Sequence, residues 1–171
     1  GQLGTLDEVL ALCSVDKRIT PCIDFGHLNA RTLGGIRSKE DYAAILDRMA
    51  EKLGDQRAER FHVHFSRIEY SKGGEKRHWT FAETQFGPEP QPLMELLAER
   101  GLAPVIICES AGTQAEDAKT MKRFFEACLC TTSQSGLRPP APLVGEPLAY
   151  TKSFHRLPRP LLLGSNNDGE I

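Results

Sequence analysis

Residues 103–109, Ala103-Pro104-Val105-Ile106-Ile107-Cys108-Glu109, set a carboxylate directly after an almost unbroken apolar run. So short a run, rich in β-branched side chains and followed by Ser110-Ala111-Gly112, predicts a strand. Apolar residues at successive positions fit a strand covered on both faces, as in a parallel sheet. A buried carboxylate without a partner is costly, so Glu109 at the end of this strand points to a bound cation.

Outward from this strand, helices and strands alternate. Pro92 to Arg100 reads as a helix stopped by Gly101, and a last helix is predicted from Thr113 or Gln114 to Ala127. Arg60 to Ser66 reads as a second strand, and Ile19 to Phe25 as another that ends at Gly26, with Pro21 tolerable early in it. Ser38 with Asp41 opens a helix over Lys39–Leu53 whose apolar stripe is Tyr42, Ile45, Leu46, Met49 and Leu53, closed by Gly54. Thr5 and Glu8 form a capping box that starts a short helix over Leu6–Cys13. Gly26 to Ser38 reads as a glycine-containing loop, and Arg67 to Gln91 as a long polar loop with glycines at 73, 74 and 87. The alternation implies α/β architecture with a parallel sheet and crossover connections. From Thr131 onward Pro139, Pro140, Pro142, Pro147, Pro158 and Pro160 break any period. Residues 1–130 are therefore expected to form the folded unit and residues 131–171 a Pro-rich irregular or disordered tail.

Bulk properties exclude several classes. The 171 residues suffice for a core but are short for a complete (β/α)8 barrel, which takes ~250 residues. Hydrophobic residues at 40% and charged residues at 26% are ordinary for a globular chain, and no apolar run approaches a membrane span. Gly1-Gln2-Leu3-Gly4 shows no basic-then-apolar leader, so a cytoplasmic setting and no membrane partner are expected. With 21 basic and 23 acidic residues the net charge is −2, which lends no support to nucleic-acid binding. Five cysteines without a CxxC spacing argue against a disulfide framework or zinc knuckle.

The chemistry-bearing residues gather at predicted strand ends, where sites collect in parallel α/β proteins. Asp24, His64 and Glu109 each end a strand. Asp24-Phe25-Gly26-His27 adds an imidazole three residues on, His62-Val63-His64 puts two imidazoles on one strand face, and Glu75-Lys76-Arg77-His78 lies in the long loop. His62 is expected to be a hydrogen-bonded core histidine or to support a ligand from behind. Mixed carboxylate and imidazole donors suit zinc, manganese or iron better than magnesium or calcium. Such a cation supplies a Lewis acid and lowers the pKa of water.

These residues resemble the endonuclease IV (AP endonuclease family 2) group of xylose isomerase-like TIM barrels. The resemblance runs through Cys22–His27, Val63–Ser66, Gly74–His78 and Ile107–Ser110, and covers about Leu3 to Ala127. It implies the C-terminal part of a (β/α)8 barrel and a hydrolase that cleaves DNA at abasic sites with two or three zinc ions. It implies Asp24, His27, His64, His78 and Glu109 as metal ligands, with Glu109 also catalytic. The family's Asp-x-His would put an acid at Lys76; Glu75, one residue earlier, is the candidate acidic ligand. Arg31, Lys72, Lys76 and Arg77 are the implied DNA-phosphate contacts. The family's earlier ligands, two histidines and a glutamate, have no counterpart here. The expectation is a fragment whose partner is the missing N-terminal barrel half.

Two other readings share these residues. A sugar isomerase or epimerase of the same superfamily uses one metal and has no need of His78. A non-catalytic barrel remnant would only bind metal or a partner.

Overall fold

The computed structural model describes residues 4–134 and 163–165 of the chain. Helix α1 (Leu6–Cys13) starts at Thr5, whose side chain accepts from the Glu8 amide while Glu8 returns to the Thr5 amide. Strand β1 (Cys22–Asp24) follows, shorter than its apolar run, and then helix α2 (Phe25–Arg31). That helix occupies part of the expected glycine loop: the Asp24 side chain accepts from the His27 amide, so a carboxylate at the strand end also caps the next helix. Helix α3 (Lys39–Leu53) has the expected bounds and the Ser38/Asp41 capping box, and a four-residue helix α4 (Asp55–Ala58) follows.

Strand β2 (His62–Phe65) leads into the principal departure from expectation. Residues 67–91 are not a plain loop: β3 (Arg67–Ser71) and β4 (Gly74–Trp79) form an antiparallel hairpin about Lys72-Gly73. Its ladder slips between Glu69 and Tyr70, because Arg77 pairs with Glu69 while Glu75 pairs with Tyr70, leaving Lys76 as an extra residue. The chain continues with α5 (Pro90–Glu99), β5 (Val105–Cys108), α6 (Gln114–Gln134) and β6 (Leu163–Ser165). At 21 residues α6 extends past the expected end at Ala127 into the stretch read as tail, and β6 also lies in that stretch. Residues 135–162 and 166–171 of the expected tail lie outside the described residues.

The parallel sheet has the order β1-β2-β5-β6. Strand side chains alternate between its two faces. One face is sealed: Ile23, Val63, Phe65, Ile106 and Cys108 pack with Leu10, Tyr42, Leu46, Leu93, Leu97 and Met121 from the helices. The other face carries Cys22, Asp24, His62, His64 and Ile107, all exposed or half-buried. The expectation of strands covered on both faces therefore holds for one face only among the described residues, and His62 is exposed instead of lying in the core. Burial of the sealed face contributes at about 25 cal/mol per Å² of apolar surface. The polar face is left available for chemistry. No described helix is long and apolar enough to cross a membrane.

Candidate metal centre

Register explains why three chemistry-bearing side chains meet. Asp24 pairs with His64 across β1 and β2, and His64 pairs with Ile107 across β2 and β5. Glu109 lies two residues beyond Ile107 on the same face, with its amide donating to the Phe65 carbonyl. The His64 Nδ1 consequently lies 2.9 Å from Glu109 Oε1 and 4.0 Å from Asp24 Oδ2. One ligand atom from each of Asp24, His64 and Glu109 lies within 4.8 Å of the other two.

A second group adjoins the first. His27, on the first turn of α2, turns its Nε2 toward the hairpin, 2.7 Å from Glu75 Oε2. His78 Nε2 lies 3.4 Å from Glu75 Oε1, and the two imidazoles meet edge to face with centroids 5.3 Å apart. His27, Glu75 and His78 also offer ligand atoms within 4.8 Å of one another. Glu75 and His78, three residues apart on one strand, would normally project to opposite faces. The extra residue Lys76 in β4 reverses that parity and returns Glu75 to the side of His78. Glu75 is thereby brought beside His78.

The four residues Asp24, His27, His64 and Glu109 thus divide between two neighbouring groups, joined by a 2.6 Å contact from His27 Nδ1 to Asp24 Oδ2. Burial works against ionisation of Asp24, but the hydrogen bonds from the His27 ring and amide outweigh it and hold the carboxyl below its ordinary range. The same hydrogen bond to Asp24, with Glu75 adding its charge and burial opposing, lifts the His27 pKa from 6.5 to about 9. With its Nδ1–H given to Asp24, the protonated His27 donates Nε2–H to Glu75, and that nitrogen becomes available to a cation only when this proton leaves.

Each group could hold a metal ion. Each group offers a mixed nitrogen and oxygen donor set. Beside them opens a cleft of about 440 Å³ lined by Cys22, Asp24, His27, Arg31, Gly74 and Glu75.

The expected DNA-contacting cations are placed unequally. Arg31 lines this cleft, and its charge also acts on Glu8. Lys72 is exposed at the hairpin turn. Lys76 and Arg77 lie 3.3 and 3.0 Å from the Glu69 carboxylate, and Arg77 also stacks on Trp79, yet both side chains stay more than half exposed. Sequence reasoning missed Ser66, whose hydroxyl lies 2.8 Å from His78 Nδ1. It also missed the hairpin, although Ile68 and Tyr70 alternate with polar residues and Lys72-Gly73 is a two-residue turn.

Over 125 residues the chain is 35% identical to an uncharacterised protein of Methanocaldococcus jannaschii, a match that takes in 73% of this chain and 45% of the archaeal one. The chain thus spans under half the length of the curated relative it matches. No protein-family model matches, and no solved structure matches.

Proposed function

We propose that these residues form part of the metal site of a phosphodiester hydrolase of the endonuclease IV type, acting on abasic sites in DNA from the C-terminal part of a TIM barrel. The observation that carries this reading is the pairing of two cation-competent groups on one rim, Asp24–His64–Glu109 and His27–Glu75–His78. A single-metal sugar isomerase has no use for the second group, and the convergence of Glu75 and His78 on His27 favours the hydrolase. Zinc is the cation that best suits the donors, with manganese or iron as alternatives.

When bound, such cations supply Lewis acidity and activate water near neutral pH. The chain's own residues hold the shell. Asp24 fixes the His27 ring and, with Glu109, flanks His64; Glu75 stands between His27 and His78. Glu109 is the catalytic carboxylate in this reading. In this reading Arg31, which lines the cleft, and Lys72 at the hairpin turn would meet phosphates, and Lys76 and Arg77 would exchange Glu69 for them.

The test is incubation of the zinc-loaded chain, supplied with the N-terminal barrel half that this reading requires, with abasic duplex DNA and, separately, with ketoses. Incision 5′ to the abasic site, lost on chelation and in Glu109→Gln, is the expected result. Turnover of ketoses without incision of DNA would replace the hydrolase by an isomerase.

A further inference from the structure

Ser66 connects β2 to β3 and is 1% exposed. Its place is fixed on both sides, since Phe65 is paired to Cys108 in the parallel sheet and Arg67 to Trp79 in the hairpin. The Ser66 hydroxyl lies 2.8 Å from His78 Nδ1, while the other ring nitrogen of His78 faces Glu75.

We propose that Ser66 is a positioning residue that holds His78 in the tautomer able to ligate a cation in the His27–Glu75–His78 group. The inference rests on the two-cation reading above. A neutral imidazole carries one proton, and only the nitrogen without it can bind metal. A serine hydroxyl can accept as well as donate, so once a cation takes Nε2 and the ring proton sits on Nδ1, Ser66 is the acceptor that holds it there. By accepting from Nδ1–H, Ser66 leaves Nε2, on the side of Glu75, for the cation. Its burial matters: a hydroxyl shut away from water cannot exchange this partner for solvent, so loss of the bond leaves the ring without an anchor. The two histidines of the group are then held alike at their far nitrogens, His27 by the Asp24 carboxylate and His78 by a hydroxyl. His64 differs, for its Nδ1 faces Asp24 and Glu109 directly.

The experiment is a zinc titration of the full chain and of Ser66→Ala and Ser66→Thr, with imidazole nitrogen NMR of the zinc-loaded wild type. The wild type is expected to bind two ions, with His78 protonated at Nδ1 and metallated at Nε2. Ser66→Ala is expected to weaken one ion by about 10–100-fold, as loss of a ligand's supporting hydrogen bond usually does, and to leave the other unchanged. Ser66→Thr, which keeps the hydroxyl, is expected to restore most of the loss. Two ions bound with unchanged affinity in Ser66→Ala would overturn the proposal and leave the two-cation reading standing. A wild type that binds no zinc would remove both. The NMR arm needs no variant to fold: His78 metallated at Nδ1 would overturn the proposal outright.

Discussion

Oδ2 of Asp24 lies 2.6 Å from Nδ1 of His27, while Oδ1 of the same carboxylate accepts the His27 backbone amide at 2.9 Å. One side chain therefore caps a helix, orients a histidine and stands beside His64 and Glu109. These duties separate by substitution. Asp24→Asn keeps an oxygen for the cap and loses the charge; Asp24→Ala loses both. Asp24→Ala is expected to destabilise the fold by about 0.5–2 kcal/mol, the usual cost of removing an N-cap, and Asp24→Asn by clearly less. Both are expected to reduce bound zinc. Thermal unfolding with metal analysis on the same samples checks this; equal stability losses would deny the cap its role.

The Asp24–His27 contact also sets a pH dependence. In the metal-free chain His27 titrates at about 9 instead of 6.5. The stability contributed by its imidazolium is complete below the unfolded value and is lost as pH rises through the folded one. Between pH 6.5 and 9 the denaturation midpoint of the metal-free chain is expected to fall. Zinc uptake by the His27 group follows the opposite course, because the Nε2 proton must leave before a metal enters. Its affinity is expected to climb with pH until about 9 and then level off. Denaturation and zinc titrations across this range test both trends, and a flat midpoint would contradict the first.

Lys76 is the extra residue in the hairpin, and its presence gives Glu75 and His78 a common face. Deleting Lys76 yields a regular strand in which Glu75 stands two residues before His78, again on one face. That deletion is expected to preserve the second zinc ion, whereas Glu75→Ala is expected to lose it. Retention of the ion in Glu75→Ala, measured by equilibrium dialysis, would take Glu75 out of the site.

Gly26 opens α2 against the β2–β3 junction. A Cβ there would stand 2.8 Å from the Ser66 carbonyl oxygen and 3.0 Å from Ile68 Cδ1. Backbone cannot yield cheaply, so Gly26→Ala is expected to cost about 1–3 kcal/mol, the range for overpacking a filled site. Because the helix would shift with His27 on it, zinc affinity is expected to fall too. Chemical denaturation read beside zinc titration checks this; a stability within error of wild type would refute the close packing.

The legible parts of this fold are those settled within a turn or a strand. Thr5 with Glu8 and Ser38 with Asp41 announce α1 and α3, because a capping box is complete within four residues. Asp24, His64 and Glu109 stand out because each is an ionisable side chain where a strand ends. Helix α2 escaped notice since it spans seven residues, contains a glycine and is capped by a residue already assigned to the metal. The hairpin escaped because Glu75-Lys76-Arg77 is polar in composition, and only pairing with β3 makes it a strand. Glu75 was legible through the resemblance, but the bulge that turns it to the side of His78 and the buried junction that sets Ser66 against His78 are encoded in no local pattern. His62 is exposed because the polar sheet face, unlike the other, lies open among the described residues.

Anomalous diffraction at the zinc edge from zinc-soaked crystals gives the most direct test of the paired site. Two peaks are expected, one within about 2.0–2.3 Å of Asp24, His64 and Glu109 donor atoms, the other equally near His27, Glu75 and His78. Density at neither group, or zinc held only by other side chains, would contradict it.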